Sequence, residues 1–181
     1  MAVPPELVGA WRRSGLLLDG VRKVDYCDVT WLQTPEWFVD IRLRIDPHAV
    51  VPTSGVPSFF YAEFAFAGIG TWEAPRMTWD HLIDSSLNPS IDSNPLTWED
   101  GVAVETGKAT VGGTEVTFVE EWLRMTGDDV MWAADTTDHH ARIEVGRFAV
   151  EISDARPAGA FTATRFELRS SGWVEVGSVT A

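Results

Sequence analysis

The sequence predicts an all-β protein, an antiparallel up-and-down β-barrel of about ten strands with one short helix covering an opening. Short stretches rich in β-branched and aromatic residues follow one another along the 181 residues. Turn signals separate them at short intervals, as at Asp19-Gly20, Gly112-Gly113 and Ser171-Gly172. Nine tryptophans and nine phenylalanines against two tyrosines are an aromatic balance that suits rings lining a barrel or covering its ends.

The first strands are predicted to form hairpins. Residues 11–18 lead to the turn at Asp19-Gly20, and residues 21–33 return from it. Residues 37–45 alternate between an apolar face, which carries Val39 and Ile41, and a second face with Arg42 and Arg44. This period of two predicts a half-buried strand with both arginines at the surface, paired with Asp40 and other acids.

The middle of the chain is less regular. Residues 47–57 form a proline-punctuated loop, and residues 58–67 are predicted as the short helix, since Phe60, Phe64 and Ala67 lie at helical spacing. Residues 71–73 and 77–84 are predicted strands, the second with Trp79 and His81 on one face, and residues 87–95 a loop.

A meander completes the chain. Its predicted strands are residues 102–105, 115–125, 130–136, 141–153, 161–169 and 173–179. A meander of this size can close on itself and remove its exposed edges, so we expect a single barrel domain over residues 1–181.

Composition narrows the classes of function. Fourteen basic and 27 acidic residues give a net charge of −13, which disfavours nucleic acid and anionic membranes as partners. No apolar run approaches the roughly 20 residues that cross a bilayer, and the N-terminus lacks the pattern of a secretory signal. We therefore expect a cytoplasmic protein. Its one cysteine, Cys27, is expected to be a packing residue between two acidic neighbours.

Several motifs resemble the calycin superfamily, which includes lipocalins and fatty-acid-binding proteins. The first strand carries a Gly-x-Trp motif, Gly9-x-Trp11, and the penultimate strand carries a basic residue, Arg165 or Arg169. Three short segments add to the resemblance: Trp31-Leu32-Gln33-Thr34, Val39-Asp40-Ile41-Arg42 and Val119-Glu120-Glu121-Trp122. Together they look like a poorly characterised lipocalin-like group of bacteria and fungi that includes a yeast protein reported to interact with a casein kinase.

The resemblance implies how the barrel closes. In calycins a basic side chain from a late strand packs over the first-strand tryptophan. Gly9, Trp11, Arg165 and Arg169 are therefore the expected barrel-closing residues. The lipocalin-like group has no established reaction, so the resemblance implies no catalytic residue.

The first functional hypothesis is non-enzymatic binding of a small apolar or amphipathic molecule inside the barrel. The candidate ligand-binding residues are aromatic or polar side chains of three strands: Trp31, Trp79, His81, Phe118, Glu120 and Trp122. We expect no cofactor and no metal site, and a homodimer is compatible with the sequence. For the adjacent histidines His139 and His140 we favour a solvated turn over metal binding, since neighbours on a strand point to opposite faces.

Two other hypotheses stay open. In the first, the barrel is an enzyme, such as an isomerase, a cyclase or a decarboxylase-like catalyst, in which His81 exchanges protons with Glu120 or Glu121. In a variant of this hypothesis, His81 ligates haem iron. One of the two glutamates must point inside, where an ion pair with Arg42, Arg124 or Arg165 is favoured. Alternatively, a barrel with a filled core could serve as a protein-interaction module.

Overall fold

The computed structural model describes residues 1–52, 57–86, 90–111 and 113–181. In these residues it has fourteen strands: β1 Gly9–Leu18, β2 Val21–Arg22, β3 Cys27–Gln33, β4 Trp37–Arg44, β5 Phe64–Glu73, β6 Arg76–Asp84, β7 Ile91–Glu99, β8 Val102–Val111, β9 Thr114–Arg124, β10 Trp132–Thr137, β11 His140–Val145, β12 Phe148–Asp154, β13 Phe161–Arg169 and β14 Gly172–Thr180. No helix in this part of the chain has the length and apolar character that a membrane crossing would require.

An antiparallel barrel forms the first two thirds of the described structure. Strands β1 and β3 to β9 pair in chain order, and β1 also pairs with β9, which closes the sheet. The two-residue strand β2 adds to the end of β1 after the turn at Asp19 and Gly20, both of which have positive φ. The predicted all-β antiparallel barrel is confirmed, with eight strands around the described barrel.

The last five strands do not continue the barrel as the sequence pattern suggested. Strands β10 to β14 form a second antiparallel sheet in simple meander order. One apolar core joins the two sheets, and its members come from both: Ala10, Leu32, Val39, Ile41, Leu43, Ala65, Ala67, Ile83, Ala141, Ile143, Val145, Phe148, Val150, Ile152, Phe161, Ala163 and Val179. The second sheet thus packs on the outside of the barrel wall.

Strand β4 is consequently buried on both faces. Val39 and Ile41 belong to the core shared with the second sheet, whereas Asp40 and Arg42 belong to the opposite face and line a cavity in the barrel. Arg42 is 6% exposed, so its predicted position at the surface is wrong, although its predicted partner Asp40 is correct. The second sheet covers the face of β4 that carries Val39 and Ile41, which the alternation pattern had assigned to the barrel core.

Arginines of the second sheet and of its β12–β13 loop reinforce this packing. Arg165 on β13 donates to the Thr30 hydroxyl at 2.7 Å and to Asp28 at 2.8 Å, both on β3. Arg156 donates to the carbonyls of Ser85 and Asp84 at 3.0 and 2.6 Å. These charge-assisted bonds fix the sheet against strands on the barrel exterior.

The segment predicted as a helix differs from that prediction. Only Ser58–Phe60 form a helical turn, of the 3-10 type, and Phe64 to Ala67 begin β5. Phe66 packs in the barrel core while Ala65 and Ala67 pack in the outer one, so the true period is two. Residues 91–95, predicted as loop, belong to β7. Residues 53–56 and 87–89 of the predicted loops, and Gly112 of a predicted turn, lie outside the described residues.

The core shared by the two sheets should contribute to the stability of the whole fold. Ile143 on β11 is completely buried in it, so Ile143→Ala is expected to lower the free energy of unfolding by about 2–4 kcal/mol. Urea denaturation followed by tryptophan fluorescence and by circular dichroism measures this change. Val176→Ala, at a position 37% exposed on β14, is the control and should change stability by less than about 0.5 kcal/mol. Equal effects of the two substitutions would contradict the packing of the sheets.

Candidate functional site

The barrel interior contains a cavity of about 800 Å³. All six candidate ligand-binding residues line it, from three strands: Trp31 on β3, Trp79 and His81 on β6, and Phe118, Glu120 and Trp122 on β9. The structure therefore brings these side chains into one site. Their role in binding stays a prediction.

Aromatic rings form much of the cavity wall. Trp31 is central, since the rings of Trp79 and Trp122 meet it edge-on with centroids 5.7 Å away in each case. Phe38 and Phe66 extend the wall and lie edge-on to each other at 5.8 Å. Edge-on pairs of this kind hold their geometry and add to the stability gained from burial. The wall is therefore a preformed apolar surface.

Trp11 packs beneath this wall and is almost fully buried. Its ring stacks on Trp31 at 5.6 Å, and its indole N–H donates to the carbonyl of Leu7 at 3.0 Å. A Cβ on Gly9 would lie 3.1 Å from the guanidinium of Arg124, so glycine permits this close approach. The expected burial of the first-strand tryptophan is confirmed.

The guanidinium over the Trp11 ring belongs to Arg124, with its central carbon 5.6 Å from the ring centroid. The expectation that Arg165 or Arg169 takes this place is wrong, because their strand lies in the second sheet. Arg165 bonds to β3 there, and Arg169 is exposed with Glu167 3.8 Å away. The late barrel strand that supplies the arginine is β9, which pairs Arg124 with Trp11.

Arg13 is the buried cation that holds Glu120. Its guanidinium donates to Glu120 at 2.6 Å, to both oxygens of Asp25 at 2.7 and 2.8 Å, and to the carbonyl of Phe60 at 3.1 Å. Burial lowers the pKa of Arg13, but the two carboxylates outweigh burial and leave that pKa above its ordinary value. Glu121 lies on the outer face and pairs with Arg22 at 2.7 Å.

An interior ion pair for one of the two glutamates was thus correctly predicted, but its partner was not. A β-bulge between Arg13 and Gly15 shifts the register of β1 against β9. Arg13 lies before the bulge and two residues after Trp11, so it shares the inner face of β1 with that ring, and the period of two was the signal that could have found it.

Asp40 and Arg42 form a second interior pair, with Nε donating to the carboxylate at 3.0 Å. Arg42 also donates to the carbonyl of Phe59 at 3.1 Å and lies over the ring of Phe64 at 4.5 Å. Burial raises the pKa of Asp40, although the charge of Arg42 partly opposes this. Two of the three guanidinium nitrogens of Arg42 are therefore already engaged by groups of the protein.

His81 is held between two carboxylates. Its Nδ1 lies 2.9 Å from Asp84 and its Nε2 3.3 Å from Asp92, while its ring stacks on Phe66 at 3.9 Å. Burial lowers the pKa of His81, but the two carboxylates outweigh burial and the net pKa is raised. Within the described ranges no hydrogen bond joins His81 to Glu120, because His81 contacts Asp84 and Asp92 whereas Glu120 is paired with Arg13. This arrangement orients the imidazole and favours its protonated form.

Glu105 on β8 is the cavity residue that the sequence analysis missed. It is 7% exposed, and its carboxylate accepts a hydrogen bond from the amide of Asn94 at 2.9 Å. No lysine, arginine or histidine of the described chain lies within salt-bridge distance of it. Burial and the charge of Glu120 raise the pKa of Glu105 to about 8, although the Asn94 bond opposes this. Glu105 lies two residues after the buried Ala103 and therefore on the same face of β8. This period of two was the sequence signal that could have placed Glu105 inside the barrel.

The remaining candidates lie outside the cavity. His139 is in the turn before β11, and His140 is half-buried, 3.6 Å from Glu151. Within the described ranges no group of three or more potential metal ligands is present. Cys27 is buried and its thiol donates to the carbonyl of Tyr61 at 3.5 Å; burial raises the pKa of that thiol, as expected of a packing cysteine.

Fold and cavity define the class as a closed antiparallel β-barrel protein with a partly polar interior. A family model described as Protein HRI1 matches residues 12–180, so the chain belongs to the HRI1 protein family. Comparison with curated proteins and with solved structures gives no match.

Glu105 makes stability depend on pH in a defined direction. Since its pKa is raised from 4.5 to about 8, the folded protein keeps a proton that the unfolded chain releases between these values, and stability falls as pH rises. Glu105→Gln removes this loss. We expect its melting temperature to match that of the parent near pH 4.5 and to exceed it by several degrees near pH 8.

Scanning calorimetry across this pH range measures the difference. Glu121→Gln is the matched control, because it removes the same charge from the outer face of β9. A gap that is independent of pH, or that is equally large for Glu121→Gln, would contradict the unpaired burial of Glu105.

Proposed function

We propose that this chain binds a small amphipathic molecule inside its barrel and acts as a binding protein rather than as an enzyme. The observation that carries the proposal is the cavity of about 800 Å³ with an aromatic wall and a few convergent charged groups. Cavities of this size and mixed character are typical of ligand sites.

The packing of the barrel supports a hollow interior over a filled one. An eight-stranded barrel is just wide enough for side chains to fill it or for one small ligand. Here large rings cover one end, whereas β8 contributes a small residue, Ala109, to the lining of the cavity. The interaction-module hypothesis required a filled core, and this geometry favours ligand binding instead.

The barrel also supports a calycin-like assignment, which we include in the proposal. An up-and-down meander closed between its first and last strands, with a first-strand tryptophan at one end, is the arrangement of lipocalin-like barrels. The second sheet and the use of Arg124 over Trp11 are this chain's own additions.

One observation favours a catalytic alternative. His81 lines the cavity with Nδ1 fixed by Asp84 at 2.9 Å, an arrangement that orients a proton carrier. Its Nε2 is buried beside Asp92, which disfavours iron ligation. Incubating the protein with a metabolite extract of its host tests catalysis. Turnover that His81→Gln abolishes would support an enzyme, and an unchanged extract supports a binding protein.

The binding function is tested with Nile red, a neutral apolar dye whose emission rises in apolar sites. We expect saturable one-to-one binding. Ala109→Trp places an indole in the cavity and should weaken binding about tenfold or more, since the dye and the new ring compete for the same volume. Fluorescence titration measures both constants.

Thr106→Trp is the control for this titration. Thr106 lies on the same strand but is exposed and is not part of the cavity lining. Retained binding in Thr106→Trp together with its loss in Ala109→Trp supports the cavity. If the dye does not saturate, or if both variants bind it like the parent, the proposed function is wrong.

A further inference from the structure

The charges of the cavity do not balance. Glu120 pairs with Arg13 at 2.6 Å and Asp40 with Arg42 at 3.0 Å. Asp84 and Asp92 share one histidine, His81. Glu105 has no cation within salt-bridge distance among the described residues. The interior therefore carries more carboxylates than cations to neutralise them.

Strand register brings the unpaired carboxylate next to a paired one. Glu105 on β8 lies directly across from Glu120 on β9, and both face inward. Like charges in directly opposed positions repel each other, and burial strengthens the repulsion. Arg13 is shared between Glu120 and Asp25, its remaining hydrogen bond goes to the carbonyl of Phe60, and it does not reach Glu105. A cation supplied from outside would relieve Glu105.

The aromatic wall suits the same kind of group. Trp122, next to Glu120 on the inner face of β9, lies across from Ala103, the inner-face neighbour of Glu105. Tryptophan rings attract ammonium groups to their faces, most strongly where water is excluded. The ring and the carboxylate therefore favour one chemistry, an organic cation with an apolar body.

We propose that the ligand of this cavity is an amphipathic amine whose ammonium group pairs with Glu105 while its apolar part lies against Trp31, Trp79 and Trp122. This assignment rests on the proposed binding function and specifies its ligand class. The net charge of −13 adds a field that concentrates cations near the barrel.

An anionic ligand fits less well. Fatty-acid-type recognition needs arginines that are free to bind a carboxylate. All three guanidinium nitrogens of Arg13 and two of those of Arg42 are already bonded to carboxylates and carbonyls of the chain, and Lys108 at the cavity pairs with Glu115 at 2.7 Å. An anion would have to displace these partners and then meet Glu105.

Three probes with one hydrocarbon skeleton test the assignment: decylamine, decanol and decanoate. Isothermal titration calorimetry at pH 9, below the aggregation concentration of each probe, gives their dissociation constants; at this pH Glu105, with a pKa of about 8, is ionised, and an alkylammonium group, with a pKa of about 10.4, is still charged. We expect decylamine to bind about tenfold or more tightly than decanol, and decanoate to bind most weakly, because only the amine neutralises a buried carboxylate.

Glu105→Gln should bring decylamine and decanol to nearly equal affinity while decanol binding stays at the parental value, which also shows that the variant is folded. Glu121→Gln removes the same charge from the outer face and should keep the preference for the amine. High salt should also leave the preference intact, because the pair is buried.

The outcomes separate the two proposals. Equal affinities of the three probes for the parent, a preference for decanoate, or an amine preference that Glu121→Gln abolishes as fully as Glu105→Gln would overturn the charge assignment and leave barrel binding in place. Absence of binding by all three probes would overturn the binding function and this inference together.

Discussion

The pairing of β1 with β9 is the contact on which the rest of this structure depends. It closes the sheet and so removes two edges that would otherwise be open. It also places Arg13 beside Glu120 at 2.6 Å and Arg124 over the ring of Trp11. A buried pair of this kind contributes little net stability but is costly to break, so it specifies which register closes the barrel. Without closure the cavity would be a groove.

Burial of the barrel wall on both faces is the second constraint. Strands β3 to β6 contribute rings and charges to the interior, and small or branched apolar side chains to the core shared with the second sheet. The wall is therefore held from outside, which stabilises an interior that is not filled. Hydrophobic burial in the outer core offsets the cost of keeping carboxylates such as Asp40 and Glu105 away from water.

Much of the barrel was accessible from the sequence, and the reasons for the failures are physical. Period-two alternation located most strands and put Trp79 with His81, and Phe118 with Trp122, on shared faces. Which face around Glu120 and Glu121 points inward stayed open until the structure placed Phe118 and Trp122 in the cavity wall. Alternation does not reveal which layer covers an apolar face, so the face of Val39 was assigned to the barrel core and the second sheet was missed. Alternation does not give the register between strands that are distant in the sequence either, so it did not identify Arg13 on β1 as the partner of Glu120 on β9.

Fluorine NMR of protein labelled with 5-fluorotryptophan tests the central claim, a hollow barrel that binds its ligand inside, most directly. On addition of Nile red, the resonances of Trp31, Trp79 and Trp122 should shift, because these rings line the cavity. Those of Trp132 and Trp173 on the second sheet should not. Shifts confined to the second pair would contradict the account and place binding on the outer sheet.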